Sequence, residues 1–186
     1  MHNHHTDWHI WSGFMILTLL LFRLLWGVVG SSTARFSSFV RGPKTVLRYL
    51  RGGWSGIGHT PLGALSVVAL LAAVAVQVGL GLVSQDPDGL YFGPLAILVS
   101  SDASDKARDI HELWFNVVLG LIVLHVAAIV FYRFRGRHLT KPMITGRAVL
   151  DPGAEPLRRG KWWVAVICLA VAFGITRWIV AGAPPF

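Results

Sequence analysis

Four long apolar runs, over about 10–30, 62–83, 110–132 and 162–181, constrain this chain more than any other feature in it. Each is close to the roughly 20 residues that a helix needs to cross the hydrocarbon core of a bilayer. Lipid offers no partner to a backbone N–H or C=O, so a run of this length has to satisfy those groups within itself, as a helix does. Composition agrees. Of the 186 residues 54% are hydrophobic and 14% charged, whereas a soluble domain carries about 25% charged residues. The expected fold is an all-α integral membrane protein, a four-transmembrane-helix bundle forming a single membrane domain over 1–186. Trp8, Trp11, Trp26, Trp162, Trp163 and Trp178 lie near the ends of the runs, where interfacial aromatics belong.

The net charge of +8 is divided between loops, not gathered into a patch for nucleic acid. Arg35, Arg41, Lys44, Arg48 and Arg51 separate the first two runs without any acid, and the third connection is equally basic. The middle connection is acidic, with Asp86, Asp88, Asp102, Asp105 and Asp109. Basic loops stay in the cytoplasm, so the first and third connections are expected inside and both termini on the outer, periplasmic side. After Pro43 the stretch 43–51 reads as an amphipathic surface helix on anionic headgroups. The first run lacks a basic n-region, is too long for a signal peptide and contains Arg23, so it reads as a span. Cys168, the one cysteine, excludes a disulfide and covalent haem attachment through a Cys-x-x-Cys-His motif.

Ionisable groups inside a membrane are costly and mark function. His111 and His125 stand fourteen residues apart in the third run, which puts them about 40° apart around a helix and about 21 Å apart along it. With Phe115, Val118 and Ile122 they form one stripe. Two imidazoles near opposite sides of the bilayer suit a ladder of two haems, each taking an axial ligand from this helix. His9 and Arg23 repeat the spacing in the first run, which crosses in the same direction. His9 is therefore expected at the depth of His111, where the two would hold a bis-histidine haem, and Gly13 leaves room for the flat ring. Arg23 is expected at the depth of His125, either meeting propionates or snorkelling to the inner face. A lone membrane histidine is commonly an interhelical hydrogen-bonder, and matched depth on two runs is what favours ligation. The "HNHH" head and His138 carry no functional weight, and Gln77, Gly79 and Gly81 read as close-packing positions.

The stretches "WHIWSGFMILTLLLFRLLWGVVGSSTARF", "FVRGPKTVLRYLRG", "GHTPLGALSVVALL", "HELWFNVVLGLIVLHVAAIVFY" and "MITG" resemble, in order, the bacterial cytochrome b-561 family. That family shares its membrane domain with the b-type cytochrome subunit of nickel–iron hydrogenases. The resemblance implies electron transfer through haem b, with His9, His111 and His125 as iron ligands. It also implies exchange with quinone and with a c-type cytochrome or a dehydrogenase or hydrogenase subunit. Family members usually carry one more helix ahead of the first run here, and it supplies the second ligand of the inner haem. The opposite ligand of His125 is then a residue of a separate chain, or of a start lying further upstream, or the inner site is absent or otherwise ligated. His59, at the inner start of the second run, fits a propionate or quinone contact.

The expected function is that of a haem b-binding electron-transfer subunit of the bacterial inner membrane, surrounded by lipid, with one haem at His9 and His111 and a second at His125. Two rivals stand beside it. One is an accessory or scaffold subunit that kept the cytochrome b fold but lost one or both haems. The other is a small transporter with Arg23 and His125 along its path, against which no span has a broken helix or a paired carboxylate.

Overall fold

The computed structural model describes residues 4–40, 42–52, 60–135 and 159–183. They form α1 (His4–Val29), the short α2 (Phe36–Phe39), α3 (Pro43–Leu50), α4 (Pro61–Val83), α5 (Ser101–Phe134) and α6 (Trp162–Val180). A single 3₁₀ turn, Ala96–Leu98, precedes α5. Every regular element among the described residues is helical, and α1, α4, α5 and α6 are each long and apolar enough to cross a membrane.

Local chemistry sets the starts. Pro43 and Pro61 open α3 and α4, where a missing N–H costs nothing and the fixed φ suits a helix. Thr60 caps α4 by accepting from the Gly63 amide at 3.1 Å, and Ser100 caps α5 by accepting from Ala103 at 3.3 Å. That second cap starts α5 well ahead of its apolar run. Its 34 residues reach about 51 Å, against a hydrocarbon core of about 30 Å. The acids Asp102, Asp105 and Asp109 therefore end the apolar stretch but not the helix. Between α4 and α5 the chain folds back on the end of α4: Gly93 donates to Ser84 at 2.8 Å and Leu95 to Leu82 at 2.9 Å.

Packing follows the rules of lipid, where apolarity alone does not choose a partner. Large side chains such as Leu113, Leu124 and Phe131 face outward, and the buried positions are mostly small: Ala64, Ala73, Ala107, Ser104, Ala172 and Thr176. Such residues let backbones approach closely. The four long helices pack in the order α6, α1, α4, α5, with α4 against α5 and α1 against α6 the most extensive pairs. α1 and α5 are thus neighbours across α4, not packed along their lengths. At the other end of the bundle, the Tyr49 hydroxyl of α3 shares a 2.7 Å hydrogen bond with that of Tyr132 at the end of α5.

Candidate functional site: a histidine pair across two spans

Polar side chains stitch α5 to α4 along one line. Ser104 donates to the Val83 carbonyl at 2.6 Å, His111 meets Gln77, Trp114 donates to the Ala73 carbonyl at 2.9 Å, and His125 meets Ser66. Positions 104, 107, 111, 114 and 118 recur at alternating three- and four-residue steps and 125 follows seven residues later, the 3.5 period of helices that wrap slightly around each other. The stripe read from an ideal 3.6 period shifts accordingly. Val118 is buried, whereas Phe115 and Ile122 turn away and are exposed.

His111 is held at both nitrogens. Its Nδ1 lies 2.9 Å from the Gln77 carbonyl oxygen. A carbonyl only accepts, so Nδ1 carries the proton and Nε2 the lone pair. The side-chain amide of Gln77 sits 3.2 Å from that Nε2 and donates to it. The other end of the same amide, Oε1, is buried without a hydrogen-bond partner among the described residues. Gly81 backs the ring: a Cβ there would stand 3.0 Å from His111 Cε1, so a methyl would shift the imidazole slightly and a bulkier side chain would push it aside. Gln77, which reads as a packing residue from sequence, is therefore the polar partner of His111. An antiparallel α4–α5 pairing counted outward from their connection is the signal that could have found it.

The His9 ring on α1 stands 5.9 Å, centroid to centroid, from that of His111, with the planes at 88°. One turn along, Gly13 faces open space, with nothing within 4 Å of where a Cβ would be. His9 and His111 are thus brought together across two helices that otherwise scarcely touch.

The remaining candidates are placed apart from this pair. His125 engages Ser66 Oγ through Nδ1 at 2.8 Å, which leaves Nε2 as its ligand-capable nitrogen. Arg23 turns to the loop after α1: it donates to the Ala34 carbonyl at 3.2 Å and lies over the rings of Phe36 at 4.9 Å and Phe39 at 5.8 Å. Phe36 is seated there because Gly27 has no Cβ to obstruct it. Cation–π contact on a half-buried guanidinium is favourable, and it holds Arg23 by protein groups. His59, His138 and the "MITG" stretch lie outside the described residues.

The residues fit a haem at the His9–His111 pair once the Gln77 amide gives up His111 Nε2. Metal-ligating histidines characteristically donate their other N–H to a carbonyl or carboxylate, which fixes the tautomer, and His111 does this toward Gln77. The open space beside Gly13 leaves room for a flat group, and Gln77 Oε1 is a buried acceptor without a partner among the described residues.

Four apolar helices and an imidazole pair facing across two of them define a class, multi-pass helical membrane proteins of the b-cytochrome kind. More particularly, the chain belongs to the prokaryotic cytochrome b561 family, which it matches over residues 2–146. Membership implies haem b and suggests a bacterial membrane protein of electron transfer. Comparison with curated proteins finds no match, and neither does comparison with solved structures.

Proposed function

We propose that the chain is a haem b-binding electron-transfer subunit of the bacterial inner membrane, with both termini on the outer side. His9 and His111 are the residues that would hold one haem. The observation that carries this reading is their 5.9 Å approach between two spans that are not packed along their lengths. A haem bound there supplies a one-electron couple whose potential is tuned by axial ligands, burial and hydrogen bonds around it. The protein's part is to hold the two imidazoles at one depth and to fix the His111 tautomer through Gln77. His125 is the candidate ligand for a second haem, its opposite ligand coming from another segment or chain. Electrons would pass between a quinone or that second haem and a c-type cytochrome, dehydrogenase or hydrogenase partner, met at the acidic α4–α5 connection. Arg23, beyond its contacts with Ala34, Phe36 and Phe39, is assigned to a propionate of the second haem, and His59 to a propionate or quinone contact.

A second reading, an accessory subunit that kept the fold without haem, is favoured by one specific observation. His111 and His125 both have hydrogen-bond partners on α4, as interhelical polar residues in membranes do. A reduced-minus-oxidised spectrum of the purified chain, with pyridine haemochrome stoichiometry, separates the two. One or two b haems per chain is the expected result. A chain that takes up none, as purified and after haemin reconstitution, would establish the accessory reading.

A further inference from the structure

The α1 surface turned away from His111 borders a groove against α6. Its volume is about 920 Å³, at the upper end of the range for small-molecule sites. The hydroxyls of Thr18 and Thr176 close its floor with a 3.0 Å hydrogen bond. Trp8, Trp11 and Met15 form one wall and Phe173 part of the other. Two charged side chains also line it, Asp7 in the first turn of α1 and Arg177 in the last turn of α6. No ion pair within 4.0 Å joins them to each other, or either of them to another group, among the described residues.

We propose that this groove seats one phospholipid with a phosphoethanolamine headgroup. Its phosphate is held by Arg177, its ammonium by Asp7, and its chains lie along Trp8, Trp11, Met15 and Phe173. The lipid comes from the leaflet at the α4–α5 connection end, which is the outer one under the orientation proposed above. Charge decides the headgroup. A guanidinium in an apolar wall calls for an anion, and phosphate matches its fork of donors. A carboxylate nearer the helix start calls for a cation with N–H donors, which an ethanolamine head carries. A glycerol head has no cation, and a choline head has no N–H. The walls decide the rest. A partner's transmembrane helix packs best on small residues, whereas large and flexible side chains here conform to acyl chains. A quinone ring is neutral and has no use for the two charges.

Native mass spectrometry of the full chain, released from nanodiscs that contain equal phosphatidylethanolamine, phosphatidylglycerol and phosphatidylcholine, tests the assignment. The expected result is one retained phosphatidylethanolamine. Arg177→Gln should lower its retention about tenfold, as loss of a charged hydrogen bond does, and Arg177→Lys should restore most of it. Asp7→Asn should abolish the preference over phosphatidylcholine while leaving a phospholipid bound. Equal retention of the three lipids by the native chain, retention of none, or a quinone or partner helix there instead would overturn the proposal. So would an Arg177→Gln protein that binds as the native one does. Should Arg177→Gln fail to fold, the native competition alone decides.

Discussion

Gln77 holds both nitrogens of His111, accepting from Nδ1 with its backbone carbonyl at 2.9 Å and donating to Nε2 with its side-chain amide at 3.2 Å. The two bonds have different consequences. The carbonyl contact survives any substitution at 77 and keeps the tautomer that a metal requires. The amide contact occupies the very nitrogen that iron would take.

Removing that amide should therefore favour haem. Gln77→Leu is close to isosteric, deletes one competing hydrogen bond worth about 1 kcal/mol, and also deletes the unpartnered Oε1. Haemin titration of the apo chain should show binding roughly fivefold tighter than for the native protein. Weaker binding would mean that the amide belongs to the haem-bound state as a supporting contact.

Substituting the ligands should act in steps. His111→Ala removes the nitrogen held on α4 and should lower haem content by one per chain. His9→Ala leaves His111 in place and should give either a five-coordinate, high-spin haem or none at that level. Optical spectra with haemochrome stoichiometry read both. Unchanged spectra in the two variants would remove His9 and His111 from the assignment.

Gly81 tests the packing behind the ring. Its Cβ would stand 3.0 Å from His111 Cε1, so Gly81→Ala should be tolerated with a small spectral shift. Gly81→Val should displace the imidazole and cost about 1–3 kcal/mol, the usual penalty for overpacking. Thermal denaturation followed by circular dichroism, with haem content measured alongside, checks both. Gly79→Ala is the control, because nothing lies within 4 Å of its Cβ position.

Ser66 and His125 form the lower contact of the same hairpin. Ser66→Ala leaves His125 Nδ1 without its 2.8 Å partner and should destabilise the hairpin by about 1 kcal/mol. The double variant Ser66→Ala/His125→Leu removes both polar groups and should be nearly neutral for the fold, since deleting both members of a hydrogen bond costs little. If His125 ligates a second haem, that variant loses it while keeping the haem at His9 and His111. Paired stability and haemochrome measurements distinguish the two roles.

Much of this architecture can be read from the chain directly. The apolar runs mark four spans, because the backbone in lipid has one way to satisfy itself. The caps are visible in Thr60-Pro61 and Ser100, although hydropathy alone starts α5 late: acids such as Asp102 leave the bilayer without leaving the helix. The depth match of His9 and His111 also follows from residue counting, because helical rise is constant.

What counting does not supply is which faces meet. Lipid is as apolar as leucine, so hydropathy carries no information about helix partners. That choice falls to small residues such as Ala73 and Ala107 and to hydrogen bonds such as Trp114 to Ala73. A slight wrap of α5 around α4 changes the period from 3.6 to 3.5, and with it which residues share a stripe with His111. The sequence by itself determined the spans, the depths and the presence of imidazoles in them, all one-dimensional quantities set by length and polarity. Only the tertiary structure decided that Gln77 holds His111, that Arg23 lies over Phe36 and Phe39, and that the His9 and His111 rings meet edge to face. Those outcomes depend on the rotation of each helix about its axis, which is set where neighbours pack.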